Sequence, residues 1–195
     1  MGVRVQKAAA TRAALIAAAR RLFAEKGYHG TGTPELVAAA GVSRGALYHH
    51  FTDKEALFEA VFREVEADLS RTAGASVAGF AADPLRQLRE GLQAFLRIIA
   101  SNAETQRILL VDGPAVLGWR KWRELGSEVT VGYLTSNLRR MQATGVIGPR
   151  PVVPLAHLII AALNEAALLI ANSRDPEITR AEVTEALWDL VAGLR

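Results

Sequence analysis

Apolar positions recur three and four residues apart along almost the whole of this chain. Leu15, Ile16, Ala19, Leu22 and Phe23 form one such stripe, which predicts a helix over 11–26 ended by Gly27. Tyr28 to Thr33 reads as a loop. A short helix is predicted over 34–40, with Thr33 as its cap, Pro34 at its first position, and Leu36 and Val37 inward. Leu57, Phe58, Val61, Phe62, Val65 and Leu69 predict a long helix from Thr52 or Asp53 to about Ser70. After a loop over 74–82, Asp83-Pro84 opens a helix with Leu85, Leu88, Leu92, Phe95, Leu96 and Ile99 inward. A shorter helix over 104–111 is expected to stop at Asp112-Gly113-Pro114. Trp119 to Met141 carries Trp122, Leu125, Val129, Tyr133, Leu134 and Leu138 on or near one face. No strand pattern or internal repeat is found, so the predicted fold class is all-α.

The last two predicted helices differ from the rest. Val153 to Ala171 is apolar nearly all round, interrupted by His157, Asn164 and Glu165. Its uninterrupted apolar run is too short for a membrane span, and Asn164-Glu165 sits in its middle. Thr179 to Leu194 is amphipathic, with Val183, Ala186, Leu187, Leu190, Val191 and Leu194 on the apolar side. A helix apolar on every side is buried on every side. In a chain of this size a second subunit is expected to cover the outer face. The two helices, about 153–171 and 179–194, are therefore expected to pair with their copies as a four-helix bundle.

The stretch Gly41-Val42-Ser43-Arg44-Gly45-Ala46-Leu47-Tyr48-His49-His50-Phe51 reads as the turn and second helix of a helix-turn-helix. Gly41 can end the preceding helix at positive φ. Ser43 can cap the next one, and Val42 and Leu47 are its apolar anchors. Arg44, Gly45 and Ala46 then form the first turn, the part that a recognition helix pushes into the major groove. The expected organisation is a three-helix helix-turn-helix domain over 1–55 and a larger helical domain over 56–195.

Charge supports that division. The net charge is +3, yet residues 1–56 carry eight Lys or Arg against four Asp or Glu. A basic head on a near-neutral body suits a polyanionic partner. With no cysteine, disulfides and thiolate chemistry are excluded. The N-terminus has no apolar core followed by a cleavage site, so no signal peptide is expected, and a cytoplasmic location is. His49 and His50 point about 100° apart on a helix, and His29 and His157 are distant in sequence, so no metal site is expected. No cofactor is expected either. No nucleophile–base pair or paired carboxylates stand out, and Glu64, Glu66, Glu90 and Glu124 are read as solvated. The chain is therefore not read as an enzyme.

Several separated pieces resemble the DNA-binding domain of the tetracycline-repressor (TetR) family. They are Leu22-Phe23-Ala24-Glu25-Lys26-Gly27-Tyr28, Ala39-Ala40-Gly41-Val42-Ser43, Gly45-Ala46-Leu47-Tyr48-His49-His50-Phe51 and Lys54-Glu55-Ala56-Leu57. The resemblance implies a homodimeric transcriptional repressor that binds a double-stranded DNA operator and answers to a small-molecule effector. It implies DNA contacts at Thr33, Ser43, Arg44, Gly45, Ala46, Tyr48, His49 and Lys54, with Lys54 and Tyr48 on phosphate. The sequence departs from the family pattern at Gly32, Val37 and Ala46. The first and last of these remove a hydroxyl that could reach DNA.

Residues 56–195 exceed what dimerisation alone needs, which disfavours a purely architectural DNA-binding protein and points to a pocket. Polar and aromatic residues on the middle and late helices are its candidate lining: Arg97, Gln106, Trp119, Trp122, Tyr133, Asn137, Asn164 and Glu165.

Overall fold

The computed structural model describes residues 2–193, and among these it contains helices and turns but no strand. Helix α1 spans Val3–Gly30, α2 Thr33–Ala40, α3 Arg44–His50 and α4 Lys54–Val77. A short 3₁₀ turn, Ala78–Phe80, leads to α5, Pro84–Ser101. One turn of helix, α6 (Ala103–Thr105), runs into a π-helical segment, Gln106–Asp112, and then into α7, Gly113–Ala143. The chain closes with α8, Val152–Ala171, and α9, Pro176–Ala192. Leu194, expected on the last apolar face, lies outside the described residues.

Helices α1 to α3 form a small head around Leu15, Ala19, Phe23, Leu36, Leu47 and Phe51. Leu57, Phe58 and Val61 at the start of α4 complete that core. The same cluster continues along α4 through Phe62, Val65 and Leu69 to Ile108, Leu109 and Trp122 of the body. Head and body are thus joined through one apolar seam rather than a linker. A second core holds α5, α7, α8 and α9 together, around Leu88, Leu96, Leu138, Ile160, Leu163 and Leu187.

Several boundaries differ from expectation, each for a physical reason. Helix α1 begins at Val3 rather than at residue 11, because Ala8-Ala9-Ala10 favours helix. Gly27 breaks it with φ 74°, and the chain then makes a last turn to Gly30. Gly32, not Thr33, is the cap of α2; Thr33 is its first helical residue. Helix α4 continues past Ser70 to Val77, whose side chain is buried against α5 and lies 3.6 Å from where a Gly91 Cβ would stand. Asp112-Gly113-Pro114 does not stop the chain. Gly113 is helical (φ −51°, ψ −60°), and a Cβ there would meet Trp122 Cδ1 at 2.9 Å and Phe62 Cε2 at 3.0 Å. That glycine serves close packing, and the break falls at Gly118, with φ 73°.

Helix α8 is 20 residues long with a mean hydropathy of 1.9, enough by length and composition to cross a membrane. In the fold its buried side packs on α5, α7 and α9. Only 39% of its apolar window is buried within one subunit. Leu158 is 67% exposed and Leu190 of α9 is 68% exposed, with Leu169 and Ile178 also outside the core. Val129, expected inward on α7, is exposed as well.

Candidate nucleic-acid interface and effector cavity

The turn between α2 and α3 is built by three residues. Gly41 adopts φ 65°, ψ 32°, and its N–H donates to the Ala38 carbonyl. A side chain is costly in that left-handed region, which explains the glycine. Val42 N–H reaches back to the Val37 carbonyl at 3.0 Å. Ser43 then caps α3, its Oγ accepting from Ala46 N–H at 3.2 Å. Leu47 is buried between the head helices, as is Phe51 just beyond, and the Arg12 guanidinium lies 5.2 Å from the Phe51 ring centroid.

With Leu47 inward, the opposite side of α3 faces out. Ser43, Arg44, Gly45, Tyr48 and His49 are exposed, while Ala46 and His50 are half-buried. Tyr48 is 44% exposed, so it is not core, and the Arg44 guanidinium sits 5.7 Å from its ring centroid. A Cβ on Gly45 would meet nothing nearer than Ser43 Oγ at 3.8 Å. Its lack of a side chain is therefore not demanded by the head's own packing. Such a surface can admit a DNA backbone or base edge close to the helix.

Thr33 and Lys54 are less exposed than that face. Thr33 is half-buried at the start of α2. Lys54 turns inward: its Nζ donates to the carbonyls of Tyr28 at 2.9 Å and Thr31 at 3.0 Å. It also lies 4.0 Å from the Tyr28 ring centroid, and burial lowers its pKa. Lys54 thus closes the open carbonyls at the end of α1.

That end of α1 is a junction. Thr31 Oγ1 donates to the Gly27 carbonyl at 2.8 Å, and Asp112 Oδ2 accepts the Tyr28 N–H at 2.8 Å. Half-way along α1, Arg20 pairs with Glu64 (3.1 Å), Asp68 (2.6 Å) and Glu104 (2.6 Å). Burial works against its charge, but hydrogen bonds to Glu104, Asp68 and Glu64 outweigh that and hold its pKa above the ordinary value. The head is therefore fastened to α4, to α6 and to the π-helical segment by charge as well as by apolar packing.

Between α4, α5 and α7 lies an apolar cavity of about 140 Å³, walled by Ser70, Val77, Leu92, Phe95, Thr130 and Tyr133. Burial pushes the Tyr133 phenol up, so it stays a neutral donor. A smaller void of about 30 Å³ adjoins Phe62, Glu66, Phe95, Trp122, Arg123 and Asn164. Of the eight expected lining residues, Tyr133, Trp122 and Asn164 border these spaces and five do not. Arg97 is exposed on α5, and Glu165 is exposed on α8. Trp119 is 64% exposed. Gln106 is spent on the Ile99 carbonyl, 2.6 Å away. Asn137 is buried against Pro84 O and Gln87 Oε1, each at 3.1 Å. Glu66, expected in solvent, is half-buried and is one of the polar lining residues, with Ser70, Thr130 and Arg123, that sequence reasoning misses. Its signal is its spacing: four after Phe62 and three before Leu69, both core positions.

A capped, outward-facing second helix on a basic head, carried by a larger all-helical body, defines a helix-turn-helix DNA-binding regulator. The profile for "Bacterial regulatory proteins, tetR family" matches residues 15–61, and that for "Tetracyclin repressor-like, C-terminal domain" matches residues 85–194. The chain is similar to the HTH-type transcriptional repressor Rv1474c of Mycobacterium tuberculosis, with 31% identity over 87% of each chain. It is 37% identical to the HTH-type transcriptional regulator AcrR of Shigella flexneri, but over 55% of this chain and about half (49%) of that one. A crystal structure of a TetR-family regulator from Pectobacterium atrosepticum superposes with a TM-score of 0.83, at 34% identity, covering 97% of this chain and 96% of that one. RolR, crystallised in complex with resorcinol, shares the fold at a TM-score of 0.73 and 20% identity, covering 93% of this chain and 89% of RolR. The chain belongs to the TetR family of transcriptional regulators.

Proposed function

We propose that the chain is a homodimeric repressor released from its operator when a small molecule enters the cavity between α4, α5 and α7. The observation that carries this reading is the outward face of α3, where Ser43, Arg44, Gly45, Tyr48 and His49 are all exposed opposite the buried Leu47. In this reading α3 enters the major groove. Arg44 and the small residues read bases, Tyr48 meets phosphate, and Lys54 acts by holding α1 against α4.

The apolar residues left open on α8 and α9 in one subunit support a dimer made by those two helices. Two heads would then span half-sites about one helical turn apart. An effector can weaken operator binding only as far as it prefers a conformer with wrongly spaced heads. Helix α4 borders the cavity at one end and the head core at the other, so it is the natural lever. Repression, rather than activation, is the role in the name of the Mycobacterium relative. The site of action is the cytoplasm, where the operator is.

Sedimentation of the purified chain with a duplex taken from the region upstream of its own gene, at about 50 mM salt, tests the reading. Two protomers per duplex are expected, and Leu190→Glu should shift the protein toward monomer and weaken the complex. A stable one-to-one complex, or none, would sink it.

A further inference from the structure

Helix α4 carries five acidic side chains from Glu55 to Asp68, and four of them have cationic partners. Glu55 and Glu59 meet Lys121, and Glu64 and Asp68 meet Arg20. Glu66 has no ion-pair partner among the described residues. It borders instead the small void, beside Phe62, Phe95, Trp122 and Asn164. Arg123 borders the same void, but it is exposed and not within ion-pair distance of Glu66.

The two voids are neighbours. Phe95 lines both, and Ser70 of the larger one hydrogen-bonds Glu66 of the smaller. Phe95, Ser70 and Glu66 thus lie where the two voids adjoin. A ligand that spans both must pass Phe95, and would then have apolar walls along the larger void and the Glu66 carboxyl at the smaller.

We propose that the effector is an organic cation: an apolar or aromatic body in the larger cavity, with an amine or quaternary ammonium head beyond Phe95 against the Glu66 carboxylate. The proposal rests on the effector reading above and gives that effector its chemistry. A carboxylate held among apolar walls accepts a cation and repels an anion. Phe62, Phe95 and Trp122 border the same void, and aromatic rings attract a cation where their faces meet it. A metal ion is disfavoured, because one carboxylate and one amide are too few ligands for the hard cations that take oxygen donors. Burial raises the Glu66 pKa to about 7, against the Ser70 hydrogen bond, which is the behaviour of a carboxyl lacking its counter-charge.

Three probes on one frame test this: 4-phenylbutylamine, 4-phenylbutan-1-ol and 4-phenylbutyrate, titrated calorimetrically into the full-length protein at pH 8. The amine is expected to bind about ten-fold or more tightly than the alcohol, and the carboxylate more weakly than either. Glu66→Gln should bring the amine down to the alcohol's affinity, and a cooperative denaturation transition measured alongside reports that the variant is folded. The comparison of amine with alcohol on the unaltered protein needs no variant. Equal affinities, or an amine preference that survives Glu66→Gln, would overturn the cation assignment while leaving the effector cavity standing. Failure of all three probes to bind would overturn the cavity along with it.

Discussion

The Asp112 carboxylate accepts the backbone N–H of Tyr28 at 2.8 Å, so the π-helical segment of the body holds the last turn of α1 in the head. Asp112 is buried, and the bond falls just beyond the break at Gly27. Asp112→Ala would take a charged acceptor from a partly buried donor. A loss of about 1–3 kcal/mol in chemical denaturation is expected, with operator binding weakened as well, since the head loses a fastening. Unchanged stability would remove this bond from the junction.

Lys54 makes a second prediction, which separates support from contact. Lys54→Met keeps an unbranched chain over Tyr28 and deletes both hydrogen bonds to the end of α1. Stability should fall by about 2 kcal/mol. Operator affinity should fall with it, but the slope of log affinity against log salt should not change. A slope smaller by about one would return Lys54 to the phosphate contacts.

At Gly45 the helix has room on its own side, because the nearest atom to an added Cβ is Ser43 Oγ at 3.8 Å. Gly45→Leu is therefore expected to change stability by no more than about 0.5 kcal/mol. Its side chain would occupy the approach to DNA, and operator affinity should drop about ten-fold or more. Full binding by the variant would mean that this turn does not enter the groove.

Glu66 gives a pH dependence of defined sign. Its pKa rises from 4.5 in the unfolded chain to about 7 in the fold, so between those values the native state holds the extra proton. Stability from this site is present below pH 4.5 and is lost as pH rises through 7. Ser70 on α4 hydrogen-bonds the group and Arg123 on α7 borders its void without pairing to it, while Asn164 of α8 and the α5 side chains there are uncharged. Glu66→Gln has no charge to bury. It should be the more stable protein at pH 8, by on the order of 2 kcal/mol, with the gap closing in acid. A constant difference across that range would contradict the burial of this carboxyl.

The head is the most legible part of the sequence. Its signals are local: Gly41 must turn, Ser43 must cap, and Leu47 must face in, so residue type alone fixes each role. The stripe on α4 is equally clear as far as Leu69, but its last turn is not. Gly74 reads as a breaker, and only burial of Val77 against α5 carries the helix past it. Gly113 misleads for the same reason: packing against Phe62 and Trp122 is a property of the fold, not of the neighbouring residues. The cavity is least legible. Asn137 and Gln106 are polar residues on apolar helices, yet each serves the internal hydrogen bonding of the body. Glu66 resembles one more solvated acid, because a helix face is assigned by its majority.

The central claim is that two copies of α3 read duplex DNA together, and selection of bound duplexes from a random pool by the purified protein tests it most directly. The predicted result is enrichment of a two-fold symmetric sequence with half-sites about one helical turn apart, lost in Arg44→Ala. A pool that stays random, or that converges on a single unsymmetrical half-site, would contradict the account.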